Sequence, residues 1–289
     1  PHVVAHFHRE ALAAARVVHP NLVTVLDLGE TDDGQPYLVM EYIAGPRLRE
    51  LAVGHPMEVD VALDFVVQLL AALAATHRAG VIHGDVKSDN ILVDVAARGD
   101  QIKLVDFGLA RIRATASRPG GAGHSHDEED AGYVSGTPEY MAPEVIRSGE
   151  PTPASDLYAA GIILYELLTG ATPFVAPTSV EIMSRHLSKV APPPSAQRPD
   201  AGISPLVDLI VARALAKEPT ERFADADDFA AALAEVLHPG AQPRTCSAWG
   251  APFAPGVVGC AVCDPGATRD ETLAAAAARA TPALTVHGW

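Results

Sequence analysis

The chain has 289 residues, 48% of them hydrophobic and 20% charged, with a formal net charge of -15. That is enough apolar chain for one sizeable domain plus further segments, yet no uninterrupted apolar run reaches the ~18 residues of a membrane span and no signal peptide opens the sequence. The acidity argues against a nucleic-acid surface, which needs clustered Lys and Arg; it suits either a basic substrate peptide or plain solubility, so a cytoplasmic protein without nucleic-acid or membrane partners is expected.

Taken in chain order, residues 56–80 set Val61, Phe65, Leu69 and Leu73 at helical spacing, with Gly80 as the stop. Two short apolar runs follow, ILVD at 91–94 and QIKLV at 101–105, split by Arg98, Gly99 and Asp100 in a hairpin signal. The stretch PGGAGHSHDEED at 119–130 is Gly-rich and then acidic, which reads as a solvated loop tip. Its His124, His126 and Asp127 are metal-ligand types, but a loop of this composition does not preorganise them. Residues 153–169 are almost continuously apolar and end at Gly170, the pattern of a buried helix. The triplet Pro192, Pro193, Pro194 predicts a loop, and 206–217 and 226–237 predict two more helices.

The chemistry concentrates in VIHGDVKSDN at 81–90, followed by DFG at 106–108. Phosphoryl transfer needs a carboxylate to orient and deprotonate a hydroxyl, a cation near the transferring phosphate, and oxygen-bearing side chains to hold magnesium. Asp85, Lys87, Asn90 and Asp106 supply these types in that order. A lone DFG is more often a turn than a metal site, so the other landmarks decide. They are GTPEYMAPE at 136–144, DLYAAG at 156–161, KEPTERF at 217–223 and YLVMEYIAG at 37–45.

Together these motifs resemble the protein-kinase family, and specifically bacterial-type serine/threonine kinases, over roughly residues 3–238. The resemblance implies an α+β, two-lobed fold with a mainly helical C-lobe, MgATP as cofactor, and protein substrates with Ser/Thr acceptors. It makes Asp85 the base, Lys87 a phosphate contact, and Asn90 and Asp106 the magnesium ligands. Thr137 would face the substrate hydroxyl, Asp156 would tie down the catalytic loop, and Arg222 would pair with Glu144. Two strands are implied near 22–29 and 37–43, with Met40 as gatekeeper, backbone groups of Glu41 and Ile43 meeting the adenine, and Leu92 lying beneath it. Glu10, on a helix that begins near His6, resembles the glutamate that pairs with the family's strand lysine.

Three departures shape the expectation. Only nine residues precede Glu10, so the Gly-rich loop and the strand lysine do not fit; an N-lobe without its first three strands, and weak or no activity from these residues alone, is expected, with a catalytically dead binding scaffold as the alternative. Gly84 stands where the family has Arg, which implies activity that does not depend on a phosphate locked to that Arg. In CSAWGAPFAPGVVGCAVC at 246–263, which resembles a zinc ribbon, Cys246, Cys260 and Cys263 would be ligands, but Trp249 occupies the fourth position. A degenerate ribbon is expected, against a zinc site completed by a nearby side chain or water. The expected organisation is a kinase domain at 1–239, the ribbon-like segment at 240–266 and an Ala-rich tail at 267–289.

Overall fold

A computed structural model describes residues 17–31, 36–94, 100–106 and 137–239. Two helices organise it. The first, α2 (Val59–Arg78), follows a short α1 (Leu48–Ala52). The second is α4 (Pro153–Thr169), which follows α3 (Pro143–Ser148). Both are buried along most of their length because their sequences are apolar on nearly every face. They pack on each other and on the later helices α7 (Pro205–Ala214) and α8 (Ala226–Leu237). Between α4 and α7 in sequence lie α5 (Ser179–Ser188) and α6 (Pro194–Gln197), so the expected Pro192–Pro194 loop is corrected at its last residue, which opens a helical turn. Proline is well suited there, since the first helical residue has no use for its N–H.

The ends of α4 are written in its sequence. Thr152 and Ser155 form a reciprocal capping box at the start, and Gly170 adopts the left-handed conformation at the stop. Helix α2 is long and apolar enough to cross a membrane by length and composition, but 78% of its most apolar stretch is buried inside the fold. One of its expected core positions, Val61, is 40% exposed, while the adjacent Ala62 and Leu63 are fully buried, so Val61 lies on the solvent side of the first turn.

Four strands make two antiparallel hairpins among the described residues, β1 (Val25–Glu30) with β2 (Pro36–Met40), and β3 (Ile91–Asp94) with β4 (Gln101–Leu104). The first ladder carries an irregularity between Val25 and Asp27. The strand expected over 37–43 ends at Met40, although Glu41 N continues the β1 register for one more bond, to Thr24 O at 2.9 Å. Strand β4 is joined to the segment before β1 by Leu104 N to Asn21 O and Val23 N to Leu104 O, at 2.9 and 3.0 Å. After β2 the chain passes so close to β3 that a Cβ on Gly45 would stand 1.8 Å from Val93 O; only glycine permits that approach.

Candidate active site

The loop 81–90 runs from the end of α2 to β3, and its backbone is fixed from below by α4. Asp156, 1% exposed in the first turn of α4, accepts hydrogen bonds from His83 N at 3.0 Å and Gly84 N at 2.9 Å, and lies 2.8 Å from His77 Nε2. Asp156 therefore does what the family resemblance implied. His83 is also buried; its Nδ1 accepts from Asp85 N at 3.3 Å, so its Nε2 carries the proton donated to Val105 O at 3.1 Å. Burial lowers the His83 pKa, although Asp156 and the Val105 carbonyl pull the other way. A neutral, single-tautomer imidazole thus ties the loop to the residue before Asp106.

Asp85 and Lys87 sit at the surface end of this frame, with side chains 18% and 19% exposed. Lys87 Nζ is 2.7 Å from Asp85 Oδ2 and donates to Thr137 Oγ1 at 2.9 Å. Asn90 Nδ2 donates to Asp85 O at 2.9 Å and to its Oδ2 at 3.0 Å, which holds the carboxylate. The structure therefore gathers Asp85, Lys87, Asn90 and Thr137 as one cluster. Asp106 is held next to it by Val105 N bonding Asn90 O at 2.9 Å, and it takes φ 61°, the one described non-glycine residue in the left-handed region. A small cavity of about 40 Å³ borders Asp85, Gly84, Thr137, Tyr140 and Ala142.

Gly84 has φ 75°, and a Cβ there would meet Pro151 Cγ at 3.3 Å. Glycine is the residue that takes this conformation without strain. Its presence has a backbone cause independent of any lost charge.

The stretch GTPEYMAPE is described from Thr137 onward. Glu144 pairs with Arg222 through both oxygens at 2.7 Å. A network not anticipated from sequence joins this segment to the loop and to α4. Tyr140 donates to Glu166 Oε2 at 2.8 Å, lies 2.8 Å from Ser88 Oγ and accepts from Arg49 at 3.2 Å. Burial drives the Tyr140 pKa up, with Glu166 adding to it, and burial also raises Glu166 against the pull of its bonds to Tyr140 and Ser88. Tyr140 and Ser88 lie within motifs already recognised, but nothing in the sequence pairs them with Arg49 or Glu166.

At the other end, Met40 is half-buried, Ile43 is buried and Leu92 is half-buried on β3. Glu41 uses its side chain as well as its backbone: Oε1 accepts from Thr24 N at 2.8 Å and from Lys103 Nζ at 2.8 Å. The Lys103 contact was invisible in the sequence, since 62 residues separate the partners and neither sits at a diagnostic spacing. Glu10, Phe107, Gly108, the 119–130 stretch and Cys246, Cys260 and Cys263 lie outside the described residues, so the strand-lysine partner and the zinc reading have no structural account here.

Among the described residues no group of three or more His, Cys, Asp or Glu side chains could hold a metal. Asn90 and Asp106 suit magnesium nevertheless, because that ion takes one or two protein oxygens and completes its shell with water and phosphate.

Comparison with known proteins gives the same answer. Residues 2–235 match the model of the protein kinase domain. The chain is 44% identical over 235 residues to the serine/threonine-protein kinase pkn3 of Myxococcus xanthus, covering 81% of this chain and 42% of that protein. It is 39% identical to PknL of Mycobacterium tuberculosis, over 83% of this chain and 57% of the relative, and 38% identical to PrkC of Bacillus subtilis, over 79% and 33%. The chain thus spans between a third and three-fifths of the length of these relatives. With its loop, anchoring aspartate and Glu144–Arg222 pair in place, the chain belongs to the protein kinase domain family.

Proposed function

We propose that this domain transfers the γ-phosphoryl group of ATP to Ser or Thr hydroxyls of protein substrates. The observation that carries the reading is the single cluster of Asp85, Lys87, Asn90 and Thr137 on a backbone fixed by Asp156. Asp85 accepts the proton of the incoming hydroxyl. Lys87, held between Asp85 and Thr137, supplies positive charge where the transferred group gains negative charge. Thr137, bonded to Lys87, would face the substrate hydroxyl. Asn90 and Asp106 are the residues that would hold magnesium, which neutralises nucleotide phosphate charge when bound. An intact cluster of this kind favours the enzyme over a catalytically dead scaffold.

The test is phosphate transfer from labelled ATP to Ser/Thr and Tyr peptide pools by the purified chain, whose turnover is expected to be slow without a Gly-rich loop and strand lysine. Asp85→Asn should lower kcat by about 10²-fold or more, and the label should appear on Ser and Thr. Equal, measurable turnover in wild type and Asp85→Asn, or label on Tyr alone, would refute the proposal.

A further inference from the structure

Lys103 points to a positioning role that the cluster around Asp85 does not use. Its side chain is 11% exposed, and its Nζ is placed 2.8 Å from Glu41 Oε1 and 3.4 Å from Leu22 O. The same Glu41 oxygen accepts from Thr24 N at 2.8 Å, while Glu41 N donates to Thr24 O at 2.9 Å. One ion pair therefore ties together three segments that are distant in sequence: the stretch before β1, the connection after β2, and strand β4. Burial alone would raise the Glu41 carboxyl, but the hydrogen bonds from Lys103 and Thr24 outweigh it and hold the group below the usual carboxylate range.

The register gives this link a direction. Lys103 stands opposite Leu92 across the β3–β4 ladder, and residues directly opposite in an antiparallel pair project from the same face. The face that carries Leu92 thus also carries the cation that grips Glu41. Strand β4 in turn leads through Val105 to Asp106, and Val105 is bonded to both Asn90 and His83. The strand that delivers a magnesium ligand is the strand that holds the connection after β2.

We infer that Lys103 is a positioning residue for the nucleotide: through Glu41 it holds the backbone at 41–43 at a fixed distance from Leu92 and β4, so that the adenine-binding gap is formed before the nucleotide arrives. This rests on the kinase reading. Pre-forming a site removes ordering cost from binding, so the expected signature is in nucleotide affinity and in the order of the connection after β2, the hinge at 41–45, rather than in the chemical step.

The test compares wild type with Lys103→Met, Glu41→Gln and the conservative Lys103→Arg in the full chain. Hydrogen exchange is read on the peptide spanning 41–45, with α2 as internal reference, and binding is read with a fluorescent ATP analogue and magnesium. Lys103→Met should speed hinge exchange about 10-fold, as expected for loss of a charge-assisted bond, leave α2 unchanged, and weaken the analogue about 5- to 10-fold while kcat at saturation changes less than about twofold. Glu41→Gln should shift both readouts in the same direction, and Lys103→Arg should restore them. Exchange in Lys103→Met that matches wild type, faster exchange with unchanged affinity, or faster exchange throughout α2 would each overturn the inference. A wild-type chain that binds no nucleotide would refute the kinase reading and the positioning role with it; a wild type that binds while Lys103→Met equals it refutes the positioning role alone.

Discussion

Replacing Glu144 with Gln removes a charge and almost no volume, so it isolates what the carboxylate contributes. Arg222 is fully enclosed, with 0% of its side chain exposed, and Glu144 shows 16%. The guanidinium also donates to Ala216 O at 2.8 Å, Ala154 O at 2.8 Å and Lys217 O at 3.2 Å, and it stacks 4.8 Å from the Tyr158 ring centroid. Gln offers one acceptor and one N–H to a fork that needs two acceptors, leaving an enclosed cation facing a donor. Breaking a buried pair from one side costs about 3–5 kcal/mol. Here the remaining carbonyls and the partial access of water to residue 144 put the expectation near the lower end, about 3 kcal/mol, a large part of the ~5–15 kcal/mol that holds a typical domain. Denaturant unfolding should therefore show a clear drop in midpoint without a change in slope. Because Glu144 anchors the segment that presents Thr137 to Lys87, phosphate transfer should also fall at temperatures where the variant is still folded. A loss below about 0.5 kcal/mol, the size of an ordinary surface substitution, would refute the reasoning.

Other groups give sharper tests of sign. Lys217 Nζ is buried without a hydrogen-bond partner, 4.5 Å from the centre of the Phe174 ring, and burial with the nearby Arg222 lowers its pKa to about 8. Folding thus penalises its charged form below pH 8 and ceases to do so as pH rises towards 10.5; Lys217→Met should stabilise the chain at pH 7 by about 1–2 kcal/mol after allowing for solvent screening, with the gain shrinking when melting is repeated near pH 10. His19 and His186, lowered to about 4 and about 3 chiefly by burial, are neutral in the folded state. Their contribution is complete above pH 6.5 and is lost as pH falls through those values, so urea midpoints should decline between pH 6.5 and 4.5, and a flat profile would contradict their burial as neutral groups. Gly84→Ala forces a Cβ into φ 75° beside Pro151 and should cost about 1 kcal/mol in a melting experiment, with Gly84→Asn milder because Asn tolerates the left-handed region better.

The features legible in the sequence share a physical property: each is fixed by local pattern. Helix α4 matched its expected span because a capping pair at Thr152 and Ser155 and a left-handed Gly170 bound an unbroken apolar run. Helix α8 did so through Asp225, whose side chain accepts from Asp228 N. Where tertiary contacts decide, local pattern overshoots. The helix expected to reach Lys217 stops at Ala214, and Lys217 instead lies over the rings of Phe174 and Tyr158. The site shows the same division. Asp85, Lys87 and Asn90 are compact in sequence and legible from their spacing, whereas Thr137, 50 residues from Lys87, and the anchoring roles of Asp156 and Arg222 followed from the family pattern. The pairs Lys103–Glu41 and Tyr140–Glu166 join ordinary residues from separate elements and leave no mark on either stretch.

These contacts also explain why a loop can hold catalytic geometry. Asp156 and Glu166 are ten residues apart on α4, about 15 Å along its axis at the usual rise. The first carries the backbone of His83 and Gly84, and the second carries Tyr140, against which Ser88 and Arg49 close. The carboxylate that receives the proton and the segment that presents Thr137 are thus both referenced to one buried helix, so their relative position depends little on the exposed chain between them. Both anchors are acidic groups that are 1% exposed, and such groups persist inside a protein only when well bonded. Losing the partners of either would expose α4 to an unpaired buried acid, which couples the geometry of the loop to the stability of the core beneath it.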